Sequence, residues 1–226
     1  MPRPQPPVVP HLKGSTMQTQ SPFDLDEVAR QIRTRATGAG RRVLVGIDGP
    51  GASGKSTFAE LLAARLPDAR IVHVDDFYRP SDEPRPADGF GPDFDLTRLH
   101  EQVLRPAHDG GPIRYQRFDW DTDALAEWHE LPDGVPVIVE GVYSTRAAVR
   151  DLYTFTVYCE TPRALRLSRG LERDGAEAES QWVDGWMPAE DRYTEAEKPY
   201  SYADLVVDGT GEPGTEGPVF RPTQLP

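Results

Sequence analysis

The run Gly49-Pro50-Gly51-Ala52-Ser53-Gly54-Lys55-Ser56-Thr57 matches the spacing G-x-x-x-x-G-K-[ST] at every specified position, a pattern whose chemistry is the cradling of a phosphate chain. Glycines let consecutive backbone N–H groups curl around an anion, and the free N–H groups of the following helix add partial positive charge. In such a loop Gly49, Gly51, Ala52, Ser53 and Gly54 form the cradle, and Lys55 runs along the β- and γ-phosphates as a mobile charge. Ser56 offers its hydroxyl to Mg²⁺, and Thr57 reaches the α-phosphate.

Two carboxylate positions extend this chemistry. Asp75-Asp76 follow the apolar run Arg70–Val74, and Glu140 ends the run Pro136–Val139. Parallel strands would bring both ends to the loop. Moving a phosphoryl group to an alcohol needs a metal over the phosphate oxygens and a carboxylate that takes the hydroxyl proton. Asp75 or Asp76, together with Glu140, meets both needs, and either acid can instead cap a neighbouring helix. Arg163, Arg166, Arg169 and Arg173 recur at helical spacing on one face. That face either meets a triphosphate or is solvated and paired with acids such as Glu172 and Asp174. Phe77, Tyr78, Phe118, Trp120, Trp182, Trp186 and Tyr193 fall in or beside irregular stretches, which suits either a planar ligand or rings packed on one another. The histidines show no metal-ligand spacing, and His73, between Val72 and Val74, reads as a core residue.

The elements that position these residues follow from the apolar periods. Arg42–Ile47, Arg70–Val74, Pro136–Glu140, Phe155–Cys159 and Asp204–Val207 read as short buried strands. Helices are expected after Asp24, ending at Gly38-Ala39-Gly40, then over Thr57–Arg65, from Leu96 to near Pro106, and from a Thr161 cap with Pro162 in the first turn. Residues 80–92 form a long loop, and Ile113–Asp123 is a polar aromatic wall with little alternation. Strands alternating with helices predict an α/β fold with a mainly parallel sheet covered on both faces. A proline-rich leader over residues 1–20 and a flexible tail over 211–226 flank one folded unit over 21–210.

Composition bounds the partners. A net charge of −12 excludes a general nucleic-acid or anionic-membrane surface. No run has the length of a membrane span. The single Cys159 forbids an internal disulfide and points to a reducing, cytoplasmic setting. Self-association is compatible with all of this.

The ordered set of motifs resembles the uridine kinase-like branch of the P-loop kinases, related to phosphoribulokinase and bacterial pantothenate kinase. The phosphate loop, Asp75-Asp76-Phe77-Tyr78, Val139-Glu140-Gly141, the Arg166–Asp174 stretch and Tyr202-Ala203-Asp204 carry the resemblance. It implies a P-loop fold of about five strands with an arginine-rich lid. It also implies ATP or GTP as donor, Mg²⁺, and a nucleoside or other hydroxylated small molecule as acceptor. By resemblance Asp75 is the general base, Glu140 assists Mg²⁺, and Arg166, Arg169 and Arg173 clasp phosphates. Asp93 binds the acceptor, beside a wall that includes Tyr78, Phe118 and Trp120. Asp123 stands where uridine kinases carry a base-reading histidine, a change that weakens the case for uridine itself within the nucleosides.

Overall fold

A computed structural model describes residues 24–87, 89–211 and the strand Arg221–Pro222. The expected leader over residues 1–20 lies outside the described residues, as does most of the expected tail.

The apolar runs become five parallel strands. In chain order they are β1 (Leu44–Asp48), β2 (Arg70–His73), β5 (Val137–Glu140), β6 (Phe155–Glu160) and β7 (Leu205–Asp208), with β8 (Arg221–Pro222) antiparallel at the edge. Their spatial order is β2-β5-β1-β6-β7-β8. The central strands β1 and β5 are buried along their whole length, as expected of parallel strands covered on both faces. Ile47 lies level with Glu140 on one side and Val157 on the other, so the carboxyl ends of β5, β1 and β6 share one edge.

Helix α1 (Leu25–Ala39) opens on Asp24, whose carboxylate accepts from the Asp26 N–H at 2.9 Å, and closes on Gly40 at φ 62°. Its buried Val28, Ala29 and Ile32 recur at helical spacing and pack with Phe58 and Leu62 of α2 (Lys55–Ala63) beneath Val45 and Ile47. Burial of each of Val28, Ile32, Phe58 and Leu62 contributes roughly 1.5–3 kcal/mol. The opposite face is covered by α3 (Leu96–Leu99), a π turn over His100–Leu104 and α4 (Arg105–Asp109), which run on without a break.

The helix runs three residues past the expected close near Pro106, to Asp109. A wide π turn directly before Pro106 relieves the missing N–H and the ring clash that would otherwise end the helix. The same device recurs at Gln181–Trp186, ahead of Pro188 in α6 (Met187–Glu197). Helix α5 (Arg163–Asp174) lies before it and α7 (Pro199–Tyr202) after it. Thr161 does not cap α5. Its hydroxyl donates to the carbonyls of Glu160 and Ser53, at 2.7 and 3.2 Å.

The stretch read as a wall with weak strand alternation at most is β3 (Ile113–Asp119), paired antiparallel with β4 (Ala124–Leu131) in a sheet of two strands. Ile113, Tyr115 and Phe118 are buried. A bulge between Gln116 and Phe118 breaks the alternation, which is why the period-two signal is weak. Among the described residues no helix is long and apolar enough to cross a membrane.

Candidate functional site

The site grows from the end of β1. Asp48 is fully buried, and burial raises its pKa. Its carboxylate is nevertheless saturated, accepting from the Gly49 N–H (2.6 Å), the Thr145 N–H and hydroxyl (both 2.9 Å) and the Tyr193 hydroxyl (2.7 Å). Gly49 follows at φ 142°, pressed so closely on Cys159 that an added Cβ would lie 2.2 Å from its carbonyl oxygen. Only glycine fits there. Ala52 at φ 58° and Gly54 at φ 93° turn the chain again before α2, the backbone pattern of an anion nest. Lys55 folds back and donates to the Pro50 carbonyl at 2.9 Å.

Across the edge, a 3-10 turn over Val74–Phe77 carries Asp75 from the end of β2. Its side chain opens into the chamber, yet the enclosing walls desolvate it and raise its pKa. The charge of Glu140 adds to the rise, while Lys55 and His73 oppose it. Glu140 at the end of β5 is itself buried. Burial works against its ionisation, but the His73 hydrogen bond and the charge of Lys55 outweigh that and lower its pKa. Its Oε1 lies 2.5 Å from His73 Nδ1 and accepts from the Ser56 hydroxyl at 3.3 Å. His73 is thus an exposed partner of Glu140 rather than a core residue.

These groups open into one chamber of about 780 Å³. Of the residues singled out from sequence, Gly51 to Thr57, Asp75, Tyr78, Trp120, Glu140, Arg169, Arg173, Trp182 and Trp186 line it. Arg169 is held by the carbonyls of Gly209 and Thr210, at 2.9 and 2.7 Å, and Arg173 pairs with Asp174 at 2.6 Å. Gly49 lies beneath the loop. Arg166 is buried behind it, bonded to Glu190 at 2.9 Å, and Arg163 pairs with Asp191. The four arginines therefore divide between chamber and acidic partners.

Asp93 pairs with Arg85 at 3.0 Å outside the lining, and Phe118 is buried behind Tyr78. Asp123, at φ 51° in the β3–β4 turn, accepts from the Ser81 N–H at 3.1 Å and from its hydroxyl. The structure brings none of these three to the chamber wall.

Several lining residues carried no sequence signal. Glu190 accepts from the Gly51 N–H at 2.9 Å; burial raises its pKa, offset in part by that N–H and by Lys55. Tyr143, buried at φ 69° just past Gly141, and Phe94 complete the wall. A non-glycine residue at positive φ is strained, and such strain concentrates at functional sites.

The phosphoribulokinase/uridine kinase family model matches residues 44–212. The chain belongs to this family. A uridine kinase from Lactobacillus johnsonii is 30% identical over 76% of this chain and 89% of its own length. Uridine kinase-like protein 5 from Arabidopsis thaliana is 24% identical over 75% of this chain. The chain spans only 22 to 39% of the length of several plant relatives. A solved structure described as a possible uridine kinase from Bacillus stearothermophilus matches with a TM-score of 0.57 at 23% identity, over 80% of this chain and 98% of that one, and supports the fold alone. The loop at Gly49–Thr57 lies within the residues the family model matches.

Proposed function

We propose that the chain transfers the γ-phosphoryl group of ATP to a hydroxyl of a small molecule, a nucleoside first and another hydroxylated metabolite second. One observation carries this reading: Lys55 and Ser56 of the loop and the carboxylates Asp75 and Glu140 line the same chamber. The named activity of the Lactobacillus johnsonii relative supports a nucleoside, and GTP is the alternative donor.

Asp75 accepts the hydroxyl proton as the acceptor oxygen attacks, the role a raised carboxylate pKa suits. Lys55, Arg169 and Arg173 then face the charge that spreads over the transferring group. Ser56 and Glu140, 3.3 Å apart, fit a Mg²⁺ ion that also takes phosphate oxygens and water, since such ions use few protein ligands. Bound there, Mg²⁺ would neutralise the β- and γ-oxygens. His73 keeps the Glu140 carboxylate fixed.

The decisive test is Asp75→Asn. Transfer should fall by about 10²–10⁴ while nucleotide affinity, read by calorimetry, holds. Full turnover by the variant would reject Asp75 as base. ATP hydrolysis indifferent to every acceptor would point instead to a regulatory nucleotide-binding module.

A further inference from the structure

Strand order fixes two ends of the chamber. Gly209 and Gly211 lie beyond β7, whereas Asp75, Tyr78 and Tyr143 follow β2 and β5 on the other side of the loop. This second end, the acceptor end of the kinase reading, is walled by a row of rings. Trp120 meets Tyr78 at 4.5 Å between centroids, Tyr78 meets Phe94 at 5.1 Å, and Phe94 meets Tyr143 at 5.8 Å. Tyr143 stands at the end of the row tied to the phosphate loop. Its ring meets Tyr193 at 4.9 Å, and the Tyr193 hydroxyl donates to Asp48, the residue before Gly49, at 2.7 Å.

Packing fixes the Tyr143 ring. Gly141 turns the chain at φ 145°, where an added Cβ would come 2.5 Å from Val74, and Tyr143 follows at φ 69°. Gly91 presses on the ring so closely that a Cβ there would lie 2.7 Å from it. Phenylalanine at this position would make every one of these contacts, so none of them accounts for the hydroxyl. Beyond the phosphate loop the lining carries two side-chain hydroxyls, on Tyr78 and Tyr143. That of Tyr78 is hydrogen-bonded to the Trp186 side chain. That of Tyr143 has no partner among the described residues, although the residue is only 4% exposed. Polar groups buried to this degree are almost always bonded, and a non-glycine residue held at positive φ concentrates at binding sites. Burial, with the charges of Glu190 and Asp48, raises the phenol pKa, which leaves a neutral hydroxyl able to donate and to accept. Asp93 and Asp123, the other candidates for this role, are held by Arg85 and Ser81.

We infer that Tyr143 determines acceptor specificity: its hydroxyl bonds a second hydroxyl of the acceptor, close to the one presented to Asp75, while the flat part of the molecule lies farther along the row against Tyr78 and Trp120. The order of the rings sets this polarity, since transfer takes place at the loop and Tyr143 is the ring tied to it. The inference rests on the kinase reading above and narrows its acceptor to a polyhydroxylated molecule.

The test is Tyr143→Phe, which keeps the ring and its contacts and removes only the hydroxyl. Initial rates at saturating ATP and Mg²⁺ are compared for the four common ribonucleosides and free ribose, and for the singly deoxygenated forms of whichever is used best. The wild type should prefer the full acceptor over one deoxygenated form by about fivefold in kcat/KM, the value of one hydrogen bond. Tyr143→Phe should bring that ratio below about twofold, with the ATP KM and the Tm unmoved. A ratio left intact would overturn the inference, and a lowered Tm alongside it would assign the hydroxyl to the fold. Equal use of all forms by the wild type would overturn it too, while leaving the kinase reading in place. Turnover of none of these acceptors, whether or not ATP is hydrolysed, would sink both.

Discussion

From Gly51 to Thr57 the chamber wall is one unbroken run of chain, whereas Asp75, Phe94, Trp120, Tyr143 and Trp186 come from five separate segments. The proposed function accounts for this contrast by what each end would bind. A phosphate chain is met by backbone N–H groups, which only consecutive residues in a special conformation can aim at one point. A flat acceptor is met by side-chain faces, and these can be gathered from anywhere the fold brings together. The phosphate end is therefore rigid and generic, the acceptor end composite and selective.

The contrast can be tested from its strongest consequence down. Lys55→Ala should lower kcat by about 10²–10³ for every acceptor alike, measured as initial rates. A loss confined to one acceptor would break the division between the ends. Gly49→Ala drives a Cβ to 2.2 Å from the Cys159 carbonyl oxygen and should cost about 1–3 kcal/mol or more in urea unfolding. Unchanged stability would mean the loop is not pinned to the sheet.

Trp186→Leu removes a ring from the chamber wall and should raise the acceptor KM roughly fivefold, about the value of one ring contact, with the nucleotide KM unmoved. The smallest effect concerns pH. Because the folded pKa of Asp75 is raised above 3.8, its contribution to stability is full below the unfolded pKa and is lost as pH rises through the folded one. Asp75→Asn should thus raise the Tm of the nucleotide-free protein at neutral pH. In the wild type the acid limb of kcat/KM should lie above the usual aspartate range.

The same division governs what the sequence discloses. Gly49–Thr57, Asp75 and Glu140 are legible because each ends or follows an apolar run, so parallel pairing alone brings them together. Arg166 is misleading, since helical spacing cannot tell a guanidinium facing phosphate from one bonded to the buried Glu190. Glu190 is silent in sequence because its partner Gly51 lies 139 residues away, and Tyr193, visible only as one aromatic among several, gives no sign of Asp48, 145 residues away. Asp93 and Asp123 sit near the acceptor wall in order along the chain, yet Arg85 and Ser81 draw them away. Tyr143 shows itself only once its φ of 69° is known.

The hairpin β3–β4 shares no ladder with the six-stranded sheet; Trp120 meets Tyr78 by ring contact, and Asp123 ties the turn to Ser81. Its tip can lengthen, shorten or change residues without moving any strand that carries the phosphate loop. Descendants of such a chain can exchange one acceptor for another by small steps in this hairpin, while the donor machinery is inherited unchanged.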